Sequence, residues 1–136
     1  MIREMGAQSG RGLAFVRAAD AMLQALGSGG VRVLFPGAST GTGGEELGIS
    51  VPPVEELEVA PVCRLAGAAS GQRRIEFLFS AAGLARHLEA RGNASAQEFF
   101  NASLGIVEEG ALMRIESVVT ETFAGTPYLH RVVAVE

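Results

Sequence analysis

At 136 residues the chain can bury one core without disulfide or metal staples, and 48% apolar with 19% charged residues is the balance of a folded domain. All 11 basic residues are arginines, Asp20 is the single aspartate among 15 acids, and the net charge is −4. That composition removes Schiff-base and phosphate-loop lysines and leaves no clustered short acids for a Mg²⁺ or Ca²⁺ cage. It also opposes the counterion release that nonspecific nucleic-acid binding needs.

Cys63 is alone, so the chain has no intramolecular disulfide. Residues 1–12 carry charge and glycine where a signal peptide has an apolar run, and no stretch reaches the roughly 20 apolar residues of a spanning helix. The expectation is a cytoplasmic protein with no membrane partner, no sequence-specific nucleic acid and no cofactor. It reads as a single domain over 1–136, with a loose N-terminus at 1–10.

In chain order, Arg11 to Leu26 is a predicted amphipathic helix. Phe15, Val16, Ala19, Met22, Leu23 and Leu26 share a face, opposed by Arg17, Asp20 and Gln24. Gly27-Ser-Gly-Gly30 ends it. Val31 to Phe35 is a short strand, and the glycine- and hydroxyl-rich run over 36–48 is a flexible loop. Ile49 to Val54 is extended, with Pro52 and Pro53 excluding a central strand.

Leu57 to Leu65 alternates as one strand, with Leu57, Val59, Pro61, Cys63 and Leu65 on one face and Glu58 and Arg64 on the other. Pro61 suggests an edge or a bulge. Residues 66–71 form a small-residue turn. Arg73 to Ser80 is the clearest strand, with Ile75, Phe77 and Phe79 inward.

Two short helices follow. Ser80 caps the first, Leu84 and Leu88 line its buried side, and Gly92 ends it. Ser95-Ala-Gln-Glu98 opens the second as a capping box; Phe99, Phe100, Ala102 and Leu104 are its apolar groups, and Gly105 stops it. Leu112 to Phe123 and Tyr128 to Val135 form a hairpin through Ala124-Gly-Thr-Pro127. Its second strand is apolar on both faces: Tyr128, Val132 and Ala134 against Leu129, Val133 and Val135. Two covered faces imply a closed barrel, a packed helix or a neighbouring subunit. The fold class is therefore α+β, a mainly antiparallel sheet or small β-barrel with an N-terminal amphipathic helix and two short inserted helices.

Candidate chemistry is sparse. The loop over 37–44 lacks the lysine of a phosphate loop and the third glycine of a dinucleotide turn, and Glu45 and Glu46 follow it. Cys63 with His87 or His130 is the one nucleophile–base combination, and Cys63 is expected inside as a small hydrophobe. Glu108 and Glu109 are expected in a solvated turn, and two histidines with one cysteine make a poor zinc set.

The run Leu112-Met-Arg-Ile-Glu-Ser-Val, continued through Ala124-Gly-Thr-Pro-Tyr-Leu-His-Arg-Val-Val, resembles the closing hairpin of small tailed-phage neck proteins, the head–tail connector or head-closure class. The resemblance implies a noncatalytic β-barrel-like subunit of a homo-oligomeric ring between portal and tail, found in the virion. Candidate interface residues are Phe15, Met22, Leu26, Tyr128, Leu129, His130, Val133 and Val135. The alternative is a cytosolic domain that binds a small apolar ligand inside a barrel lined by Ile75, Phe77 and Phe79.

Overall fold

The structure, a computed structural model, describes residues 2–27, 29–37, 54–60, 62–67 and 71–136. The order of elements is α1 (Ile2–Leu26), β1 (Val31–Pro36), β2 (Val54–Val59), β3 (Val62–Gly67), β4 (Arg74–Ser80), α2 (Ala81–Arg91), α3 (Ala96–Asn101), β5 (Gly105–Glu108), β6 (Ala111–Phe123) and β7 (Thr126–Val135). The glycine-rich loop and the extended stretch before Val54 lie outside the described residues, apart from Pro36 and Gly37. The fold is α+β, as expected.

The described strands make one seven-stranded antiparallel sheet in the order β2-β1-β5-β6-β7-β4-β3. β6 joins its two halves: Met113 pairs with Ile106 of β5, and from Arg114 onward the strand pairs with β7. A register shift between Ile115 and Ser117 bends it there. The sheet curls until the β3 edge meets the start of β1, where the Val62 N–H donates to the Gly29 carbonyl at 3.1 Å. Such curling removes most of an exposed edge without a closed ladder.

The interior is filled. Phe35, Phe77, Phe79, Ile106 and Met113 from the strands meet Leu84, Phe99 and Phe100 from the short helices, all fully buried. Phe35 and Phe99 pack edge to face at 5.0 Å, and Phe79 and Phe100 pack at 5.2 Å. Phe77 and Phe79, expected as pocket lining in the ligand-binding alternative, belong to this packed core, and Ile75 joins it.

Local chemistry sets the helix ends. The Ser80 hydroxyl accepts from the Gly83 N–H at 3.0 Å, and Gly92 closes α2 at φ 69°. At α3, Ser95 accepts from the Glu98 N–H at 3.2 Å, while the Glu98 carboxylate accepts from the Ala94 N–H at 3.1 Å, one residue before the cap.

Several expectations are corrected. α1 begins at Ile2, ahead of the expected Arg11. Its packed stripe is Gly12, Val16, Ala19 and Leu23, while Phe15, Met22 and Leu26 stand exposed beside it. Small side chains win because the helix lies close on β7: a methyl at Gly12 would strike the Thr126 side chain. Asp20 belongs to that packed side too, since its Oδ1 accepts from the Ser80 hydroxyl at 2.7 Å.

Leu57 to Leu65 is two strands, and the inward parity switches between them. Val59 and Val62 are both buried, so Arg64 points inward while Cys63 and Leu65 sit on the outer face. β2 ends at Val59 and β3 begins at Val62. The second helix stops at Asn101, and Gly105 opens a strand, β5, that was not expected.

Both short hairpin turns carry positive φ at their central residues: Glu109 (49°) with Gly110 (80°), and Ala124 (51°) with Gly125 (77°). That is the signature of a type I′ turn, which matches the twist of the strands it joins. Alanine in this region costs on the order of 1 kcal/mol. Ala124→Asn is expected to raise stability by about 1 kcal/mol. Urea denaturation should show a higher midpoint with an unchanged slope.

Candidate assembly surface

α1 and the tip of the β6–β7 hairpin meet through aromatic rings. Phe15 stacks on Phe123 with centroids 4.1 Å apart and planes 13° from parallel, and Tyr128 meets Phe15 edge-on at 5.1 Å. The rings remain partly in solvent. Met22 and Leu26 extend the exposed apolar surface along α1, at 61% and 70% exposure, and Leu13 is exposed on the other side of the helix. Val119 is exposed on β6.

Of the expected interface residues, Phe15, Met22 and Leu26 are exposed, whereas Tyr128, Leu129 and Val133 are half-buried. His130 and Val135 are buried within the chain and offer no free surface. Leu13, Val119 and Phe123 are exposed apolar residues outside that expected set. Their signal was available: each is a large apolar residue on the same helix or hairpin, at a position where alternation alone did not fix the face.

His130 is only 4% exposed. Its Nδ1 lies 2.9 Å from Thr120 Oγ1 across the β6–β7 pair. The ring sits at an open cleft of about 260 Å³ lined by Val16, Ala81, Ala85, Leu88 and Pro127, between α1, α2 and β7. Burial disfavours the imidazolium and lowers the pKa from 6.5 to about 4. The folded state therefore binds fewer protons than the unfolded chain through this window. Stability is full above pH 6.5, falls as pH drops toward 4, and the loss from this residue levels off near 3 kcal/mol, an order-of-magnitude figure. The difference in stability between wild type and His130→Gln, measured from pH 7 to pH 4, should shift by that amount.

Where the β3 edge approaches β5 the charges are paired. Arg64 Nε donates to Glu108 at 2.6 Å, and its Nη2 donates to the Gly30 carbonyl at 2.9 Å. Arg73 meets Glu109 at 2.8 Å and Arg74 meets Glu116 at 3.1 Å. Glu108 is thus buried in a pair, contrary to the solvated turn expected for it. Of the two neighbouring glutamates, Glu109 is the exposed one.

The Arg64 pair links the β3 edge to β5 and the start of β1. Cys63 lies on the outer face opposite Leu78 and His130 on the inner face, so the strands do not bring them together as a nucleophile and base. Among the described residues no three of His, Cys, Asp and Glu converge as metal ligands, and no helix is long and apolar enough to cross a membrane. No protein family matches the chain, and neither does any curated protein or solved structure.

Proposed function

We propose that the protein is a noncatalytic assembly subunit, a component of a phage or prophage virion neck, which acts by forming a homo-oligomeric ring and meeting portal or tail components. The observation that carries this reading is the contrast between a filled interior and an exposed apolar surface. The inner side of the sheet is filled by the chain's own phenylalanines, while Leu13, Phe15, Met22 and Leu26 on α1 and Leu112, Val119 and Phe123 on β6 face solvent, with Val54, Leu65 and Leu104 exposed elsewhere among the described residues. The concentration of exposed apolar residues on one helix and one hairpin favours a covering partner. The likeness of the closing hairpin to connector proteins supplies the particular class.

On this reading the protein is made in the host cytoplasm and ends in the virion. Electron microscopy of the concentrated protein should show rings, and proteomics of purified particles should contain the chain. A strictly monomeric protein at high concentration, absent from every purified particle, would sink the proposal. The small-ligand alternative has less support, because Phe77 and Phe79 are fully buried in a packed core and Ile75 adjoins them.

A further inference from the structure

The cleft of about 260 Å³ between the two helices and the start of β7 is walled by Val16 of α1, by Ala81, Ala82, Ala85 and Leu88 of α2, and by Pro127. Three of these six are alanines, whose methyl groups leave unfilled the space that longer side chains would take. Among the described residues no charged side chain lines it.

His130 is the one polar side chain of the described lining. Alternation along β7 turns it inward with Val132 and Ala134, and the residue is only 4% exposed. Nδ1 is engaged at 2.9 Å by Thr120 Oγ1, and Nε2 has no hydrogen-bond partner in the protein. Among the described residues, Asn93 Oδ1 is the one unpaired side-chain polar atom shut off from solvent. Nε2, also unpaired, therefore keeps access to solvent, and the cleft that the ring lines is that access. A single directed hydrogen-bonding atom amid hydrocarbon walls is the arrangement by which small-molecule sites fix orientation.

We infer that this cleft binds a small, neutral, single-ring molecule bearing a hydroxyl group, with the hydroxyl on His130 Nε2 and the ring against the alanines, Val16 and Leu88. The volume falls just below the roughly 300–1,000 Å³ of sites for drug-sized ligands, which sets the size. Burial keeps the imidazole neutral at pH 7, its pKa lowered to about 4, so an anion entering the cleft would leave water without gaining a countercharge. The hydroxyl follows from Thr120. Its Oγ1 can donate to Nδ1 or accept from it, which makes Nε2 a donor or an acceptor in turn, and a hydroxyl serves both states. The hydrocarbon walls offer water no bond, so an apolar ring that displaces it gains affinity. The cleft lies outside the packed phenylalanine core, and the inference does not depend on the assembly reading.

NMR of the imidazole nitrogens during titration of the full chain with phenol tests this. His87 and His130 are the two histidines, and His87 lines a different cleft, so it serves as an internal control. Phenol should move the His130 nitrogens, leave those of His87 in place, and saturate with a Kd of about 1 mM or tighter. Toluene, of the same shape without the hydroxyl, should bind about 3–10-fold more weakly. Benzoate, charged at pH 7, should leave His130 unmoved. In His130→Phe the preference for phenol over toluene, read from the methyl resonances of Val16 and Leu88, should vanish. Thr120 is exposed, so its hydroxyl turns to water when the imidazole is gone. Ala85→Phe, at an exposed wall position, should fill the cleft and weaken phenol by about tenfold or more. Circular dichroism melts report whether each variant folds, and Ala85→Phe decides alone if His130→Phe does not. Unmoved His130 nitrogens under phenol, toluene or benzoate binding as tightly as phenol, or undiminished phenol binding by Ala85→Phe overturns the inference and leaves the assembly reading standing.

Discussion

Arg64→Ala is expected to lower folding stability by about 3–5 kcal/mol, the cost of leaving a buried charge without its partner. The pair sits at the seam where the β3 edge meets the start of β1. β3 has no neighbouring strand on that side, and Arg64 reaches Glu108 on β5 through Nε at 2.6 Å and the Gly30 carbonyl through Nη2 at 2.9 Å. Both side chains are shielded, at 24% and 11% exposure, so solvent screening is weak. Arg64→Lys should recover only part of the loss, because one ammonium on a flexible stem replaces two donors fixed in a plane. The double variant Arg64→Met, Glu108→Leu should be more stable than Arg64→Ala, since no charge is then stranded. Urea denaturation of the set gives the values. A loss below about 1 kcal/mol for Arg64→Ala would place the pair among exposed bridges and undo its role at the seam.

Gly105→Ala is expected to cost about 4 kcal/mol, from two sources that add. Gly105 sits at φ 142°, where a side chain is strained by about 1–3 kcal/mol. A Cβ there would also strike the Met113 carbonyl oxygen, with the Leu112 side chain close behind at 3.1 Å. The carbonyl cannot retreat cheaply. Gly105 pairs with Leu34, and the next residue, Ile106, pairs with both Val33 and Met113, so relief would open ladders on both sides of β5. Gly110→Ala is the control: φ is 80°, but no atom lies within 4 Å of the added methyl, and the cost should be on the order of 1 kcal/mol. Equal losses at the two positions would mean that the contact with Met113 contributes nothing.

Features set by neighbours in sequence were legible without the structure. Ser80 and Gly92 around α2, Ser95 with Glu98 at α3, the alternation of β4 and the closing hairpin all follow from short-range chemistry. β5 escaped because it offers only Ile106 and Val107 as apolar residues. Its turn, Glu109-Gly110, sits between two strands as Asp-Gly commonly does and was the signal to follow. The parity change between Val59 and Val62 was hidden by Cys63 and Leu65, which continue the apolar alternation on the wrong face. Arg64 turns inward because Glu108 waits there, and that partner is far away in sequence.

The candidate surface was legible in part. Hydrophobicity grouped Phe15, Met22 and Leu26 with Val16 and Leu23 as apolar positions of one helix. It could not say that the sheet accepts the small residues and leaves the large ones outside, because close approach to Thr126 decides that. Likewise both faces of the closing strand looked available, yet α1, α2 and the sheet itself cover His130 and Val135.

The position of β7 governs the order in which the molecule can form. It follows every other described strand in the chain, yet it lies between β6 and β4 and receives α1. Until it is synthesised, α1 waits as a helix with apolar residues on two sides and β4 lacks one partner. The nascent chain is therefore exposed to wrong encounters until residues 126–135 emerge, and chaperone demand should fall from that point.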